Sequence, residues 1–441
     1  MGTMAGRWVA AAATIALLLT VSPALHGQQD TTELARIRTQ IDALTRELEA
    51  LRLGQDVLPQ ADSSAHGLGP AAAKVYRVRH GVSLGGYGEV LYENFAAERE
   101  NGEASNLRDQ IDALRAIIYV GYRFTDNLLF NSEIEFEHAS TDQAGSVSVE
   151  FAYLDYIPSP YLGVRGGMVL VPMGFINELH EPPIFLGTTR PLTENSIIPT
   201  TWRENGFGVF GDFGDFAYRA YVVNGLDAIG GGPSRAGGFS AGGLRGGRQK
   251  GSRALIEDPA IVGRLDFEPA GMLPGLLLGA SAYHGNSGQS GMTPAGVEVD
   301  APTTILEGHA QYRAYGLDLR ALAARATVGD AALINEARTL TGTSSVGEEL
   351  VGWYAQGGYD VLRLVRSMQE LTPYVRYEKL NTQHVVPEGF TASRATDRSV
   401  LAVGAQWKPI TNVVVKGDYQ IHSNEASTGV NQFNIVLGYL F

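Results

Sequence analysis

A transmembrane β-barrel of about sixteen antiparallel strands over residues 82–441 follows from three features of the chain. Apolar residues recur at every second position in short runs, the spacing that turns one strand face to lipid and the other to a polar interior. The connections between these runs switch regularly between tight turns and longer polar loops. Every tight turn follows an even-numbered strand, so both ends of the barrel lie on one side of the membrane. The last strand then alternates up to the final residue: Phe433, Ile435, Leu437, Tyr439 and Phe441 fall on one side, with Gln432, Asn434 and Gly438 among those on the other.

The N-terminal part divides into three expected segments. Arg7 precedes an apolar stretch from Trp8 to Leu19, and Ser22, Pro23, Ala24 and Gly27 follow, the layout of a secretory signal peptide over residues 1–27. The stretch is too short for a bilayer, which takes a helix of ~20 residues. Over residues 28–53, Leu34, Ile37, Ile41, Leu44, Leu48 and Leu51 recur at spacings of three and four and mark a periplasmic helix. Two arrangements fit it: an amphipathic helix lying on another surface, or a short parallel coiled coil. The seam holds only Leu and Ile, with no Asn or Lys to enforce a dimer, so three strands are allowed. A helix tethered to an oligomeric barrel also has a high effective concentration of its own copies. Residues 54–81, rich in Pro, Gly, Ala and Ser, are expected to be a linker.

The strands are expected at Val82–Tyr92, Ala113–Phe124, Leu128–His138, Val147–Ile157, Tyr161–Leu170, Arg203–Gly211, Phe216–Asn224 and Ala260–Glu268. They continue at Leu276–Gly285, Thr303–Ala314, Leu317–Thr327, Leu350–Leu362, Leu371–Leu380, Arg398–Lys408, Val413–His422 and the terminal run. Thr125-Asp126-Asn127, Pro158-Ser159-Pro160, Tyr315-Gly316 and Pro409–Asn412 supply characteristic turn residues between them.

Composition excludes several classes. The chain has no cysteine, so thiolate zinc sites, disulfides and a lipoprotein anchor are out. Its formal net charge of −13 argues against nucleic acid, which needs a basic face. The Gly-rich runs Gly230–Gly232 and Gly242–Gly247 lack the Lys-Ser/Thr of a phosphate-cradling loop. His284, His309, His384 and His422 belong to no motif with a nucleophile, so no catalytic residue and no cofactor are expected.

Two resemblances add to this reading. The terminal strand and its final aromatic, Phe441, resemble those of Gram-negative outer-membrane barrels, which implies insertion in outer-membrane lipid and recognition of Phe441 by the barrel-assembly machinery. The run Asn177-Glu178-Leu179-His180-Glu181-Pro182-Pro183, with Glu194, Asn195, Pro199, Thr200, Thr201, Trp202, Arg203 and Glu204 between Pro191 and Gly208, resembles the phosphate-selective porin family. That likeness implies a homotrimer whose third loop, residues 171–202, folds into the lumen. The expected function is a passive channel for small hydrophilic solutes or ions. The alternative is a porin selective for phosphate or another anion; a barrel enzyme or a structural tether is less favoured.

Strand parity then selects the pore wall. With Phe130, Ile134 and Phe136 facing lipid, Glu133, Glu135 and Glu137 face the lumen. Elsewhere the lumen side mixes signs, with Arg264 beside Asp266 and Glu268, Arg320 beside Asp318, Arg376 beside Glu378, and Lys416 beside Asp418. The loop after the seventh strand carries Arg235, Arg245, Arg248, Lys250 and Arg253. Within the third loop, Glu178, His180 and Glu181 join the constriction candidates. Their spacing could hold a divalent ion, but a Pro-rich loop uses such groups more often as hydrogen-bonding partners, and no metal is expected.

Overall fold

The computed structural model describes residues 64–139 and 145–441. The expected signal peptide, the heptad helix and the linker before Ser64 lie outside the described residues. Sixteen strands follow: β1 (Gly81–Phe95), β2 (Gln110–Arg123), β3 (Leu128–Glu137), β4 (Ser146–Ser159), β5 (Leu162–Leu170), β6 (Arg203–Phe213), β7 (Phe216–Asn224) and β8 (Pro259–Phe267). The remainder are β9 (Leu276–Asn286), β10 (Pro302–Ala314), β11 (Leu317–Val328), β12 (Glu349–Tyr359), β13 (Glu370–Val385), β14 (Asp397–Ile410), β15 (Val413–Asn424) and β16 (Gln432–Leu440). Each pairs with its sequence neighbours, and β16 closes on β1 in a register running from Tyr87 opposite Leu440 to Phe95 opposite Gln432. Closure leaves the sheet no free edge, the condition for strands to cross a membrane. Among the described residues no helix is long and apolar enough to cross one.

The alternation holds in the packing. On β16, Asn434, Val436 and Leu440 are buried inside while Phe433, Ile435, Leu437 and Tyr439 are exposed outside. Several boundaries differ: β1, β2 and β13 run further at the loop end than expected, and the twelfth strand ends at Tyr359 rather than Leu362. Asp360 accepts the backbone N–H groups of both Leu362 and Leu371, which bends Val361–Val365 into a single-turn 3-10 helix.

The part of the expected linker that is described does not hang free. Residues 64–80 include a 3-10 helix, Ala72–Arg77, and Leu68, Ala71, Ala72, Ala73 and Val75 are buried. They pack inside the end of the barrel that carries the short turns. The small side chains that suggested a linker instead allow close approach to the wall. A Cβ on Gly121 of β2 would sit 2.6 Å from Val75 Cγ2, and one on Gly85 of β1 would sit 2.9 Å from the Ala71 carbonyl oxygen.

Candidate functional site

The connection between β5 and β6 carries Pro172, Pro182, Pro183, Pro191 and Pro199, which keep it out of the ladder. It forms a stapled loop instead. Asn177 donates to the carbonyls of Val171 (2.7 Å) and Trp202 (2.8 Å) and accepts from Trp202 N–H (2.5 Å), joining the loop's two ends. Glu194 accepts from Ile176 N–H (2.7 Å) and from the Tyr354 hydroxyl on β12 (2.5 Å). Nearly every residue from Val171 to Trp202 is buried.

Side chains from well-separated strands hold this loop by its backbone. Arg264 on β8 donates to Gly174 O, and Arg320 on β11 donates to Ile184 O (2.7 Å). Arg376 on β13 reaches Thr189 O (3.0 Å), while Glu378 accepts from the N–H groups of Leu192 (2.9 Å) and Thr193 (2.5 Å). Lys416 on β15 donates to Phe185 O (2.8 Å) and Gly187 O (3.0 Å), with its ammonium 3.8 Å from the Phe185 ring centre. Asp418 accepts from Thr188 N–H at 3.0 Å. Buried charges need such partners, since an unpaired one would cost several kcal/mol.

The three ionisable residues of the Asn-Glu-x-His-Glu run separate rather than converge. Glu178 lies 3.1 Å from Arg219 of β7 and 3.8 Å from Arg264. His180 Nε2 lies 3.2 Å from Glu133, and its Nδ1 lies 3.0 Å from Asn177 O. Burial, with Arg190 nearby, pulls the imidazole down to about 3, so it is neutral near pH 7. Glu181 accepts from the N–H groups of Ala71 (3.0 Å) and Ala72 (3.1 Å). Burial lifts its carboxyl to about 7 against those bonds. Among the described residues no three His, Cys, Asp or Glu side chains are grouped to hold a metal ion. Glu133 and Glu135 are buried on the inner face of β3, and Glu137 is half-buried beside Ser146 Oγ (3.0 Å).

Cavities lie on both sides of the loop. At the end of the barrel that carries the long loops, a cavity of about 390 Å³ is bordered by Arg115, Arg190, Arg245 and Arg376, with Glu89 and Glu378. Arg245 is placed there because the β7–β8 loop docks on the β5–β6 loop through Leu244 N–H to Ser196 O (2.9 Å). Arg190 Nη2, Arg245 Nη1 and Arg376 Nε are buried with no hydrogen-bond partner among the described residues. Burial and the adjacent Arg248 lower Arg245 to about 9; burial and Arg115 likewise lower Arg190. At the turn end, cavities of about 400 and 310 Å³ lie on the other side. Phe185 borders the loop-end cavity while Ile184 and Leu186 border the smaller turn-end one, so this strip stands between them. Parity alone could have singled out Glu89 and Arg115, which share the inner face with Tyr87 and Ile117. Nothing local in the sequence marks Arg190.

No family model matches the chain. A protein of Aquifex aeolicus (strain VF5), described as uncharacterized, is 40% identical over 374 residues, covering 82% of this chain and 80% of that protein. Among solved structures, Salmonella typhi OmpF in complex with daunomycin superposes with a TM-score of 0.54 at 12% identity, over 82% of this chain and 98% of that one. A loop L8 deletion mutant of OmpT, an outer membrane protein of Vibrio cholerae, superposes with a TM-score of 0.52 at 11% identity, over 82% of this chain and 100% of that one. At such identities the likeness is one of fold. The chain therefore belongs to the family of the Aquifex aeolicus protein, and its closed sixteen-stranded barrel has the fold of outer-membrane porins.

Proposed function

We propose that this protein is a passive outer-membrane channel for small hydrophilic solutes, narrowed inside the barrel by residues 171–202. The observation that carries this reading is the strip Ile184–Thr188, gripped by Arg320, Lys416 and Asp418 between cavities at opposite ends of the barrel. A strip fixed by polar bonds across a lumen sets its width without blocking water. Swelling of proteoliposomes in uncharged sugars of increasing size tests it. Uptake should fall steeply with sugar size, and equal exclusion of the smallest sugars and the largest would count against a diffusion pore.

A second reading, preference for anions, is favoured by the unbonded guanidinium atoms of Arg190, Arg245 and Arg376 at the loop-end cavity. Fixed positive charge in a narrow path replaces part of an anion's hydration. Replacing Arg190 and Arg245 by Gln should move the reversal potential in a salt gradient toward cations. Replacing Glu133, Glu135 and Glu137 by Gln should move it toward anions. Identical potentials for wild type and both variants would remove these groups from selectivity.

The same reading has a homotrimer in outer-membrane lipid, delivered by a cleaved signal peptide and the barrel-assembly machinery, with residues 28–53 as a periplasmic coiled coil. Cross-linking of the detergent-solubilised protein, with and without residues 31–53, tests the assembly. A trimer that weakens on truncation supports the coiled coil; a monomer in both forms contradicts it.

A further inference from the structure

Residues 64–80 have a seat built for them in the barrel. The wall is hollowed at Gly121 and Gly85, where any side chain would meet Val75 or the Ala71 carbonyl. Asn131 of β3 donates to Ala72 O (3.0 Å), and Arg123 of β2 donates to Tyr76 O (2.8 Å). The Tyr76 hydroxyl donates to Asp155 of β4 (2.7 Å) and accepts from Arg165 of β5 (2.8 Å).

The β5–β6 loop holds the same segment from the other side. Glu181 takes the first free N–H groups of its 3-10 helix, and a Cβ on Gly69 would sit 2.7 Å from that carboxylate. Ser64–Gly67 also border the larger turn-end cavity beside Glu178 and Arg219. One segment thus fills the space beneath the loop and is bonded to it.

We propose that residues 64–80 are a built-in plug, seated in the barrel wall and tied to the constriction loop by Glu181, that limits the open cross-section of the channel. The proposal rests on the channel reading and concerns its regulation. Displacing the plug widens the turn-end route and frees the 178–181 stretch of the loop.

The chain has no native cysteine, so Ala73→Cys, at a position 0% exposed, reports the plug alone. The introduced thiol should resist a hydrophilic maleimide in the otherwise native protein. Adding Gly121→Leu should expel the plug, make the thiol react, and raise single-channel conductance by about twofold or more, since ion flow follows the open cross-section. A second variant replaces residues 66–77 by a Gly-Ser chain of equal length and should show the same rise. A reactive thiol with unchanged conductance overturns the plug while leaving the channel standing. Where Gly121→Leu leaves the thiol protected, the Gly-Ser variant decides, and wild-type conductance in it also overturns the plug. No conductance in any folded variant overturns both readings.

Discussion

Deleting Phe441, or replacing it by Lys, is expected to cut the yield of assembled barrel to a small fraction of wild type, whereas Gln432→Ala leaves it nearly unchanged. Phe441 N–H donates to Gly86 O (2.9 Å) and Gly86 N–H donates back to Phe441 O (3.0 Å), the last rung of the seam that closes the barrel. Its ring covers Gly86, where a Cβ would sit 2.7 Å from the ring edge. An unclosed seam leaves β1 and β16 with unpaired backbone groups in hydrocarbon, each costing several kcal/mol. The Gln432 side chain donates at 3.3 Å to Gln420, and an Ala there keeps the backbone pairing with Phe95. Heat-modifiable mobility of the protein in outer-membrane fractions measures the yield, and equal yields for all variants would contradict the role given to Phe441.

Replacing Asp155 by Ala is expected to cost about 3–5 kcal/mol of stability, because it strands a buried guanidinium. Asp155 is 0% and Arg165 2% exposed, and Arg165 donates to both carboxylate oxygens at 2.9 Å. The remaining partners of the guanidinium are uncharged: the hydroxyls of Tyr76 (2.8 Å) and Tyr221 (3.4 Å), and the rings of Tyr153 (4.1 Å) and Phe210 (4.8 Å). A double variant, Asp155→Leu with Arg165→Met, should lose less, since removing both charges also removes the desolvation cost. Urea unfolding in detergent micelles measures both. A loss below about 1 kcal/mol for Asp155→Ala would mean that the pair behaves like a solvated surface ion pair.

The barrel was legible because lipid imposes a period of two on every strand that crosses it. Where strands pass beyond the lipid the signal stops but the pairing does not. At the loop end β1 runs to Phe95 and β2 begins at Gln110, held by polar pairs such as Gln110 with Glu93 (2.6 Å) and Asn94 with Asp109 (2.5 Å). Hydropathy therefore gave those strands short. At residues 64–80 composition is ambiguous for a different reason: Ala and Gly suit a flexible linker and a tight seat equally well.

Parity assigned Arg264, Arg320, Arg376 and Lys416 to the lumen side, and in the structure all four are buried and bonded to the β5–β6 loop. What they hold was not legible, because their partners are backbone carbonyls of the β5–β6 loop, up to 231 residues away in the chain. The cluster Glu178, His180 and Glu181 was visible as polar groups close in sequence. In irregular backbone, neighbours point in unrelated directions, so each found a different partner: Arg219, Glu133 and the plug helix.

Planar-bilayer recording of the purified, folded full-length chain tests the channel directly. Discrete conductance steps should appear, with a reversal potential in a salt gradient that moves toward cations in the Arg190→Gln, Arg245→Gln variant. Folded barrel that inserts in the bilayer and yields no steps at any voltage would contradict the account.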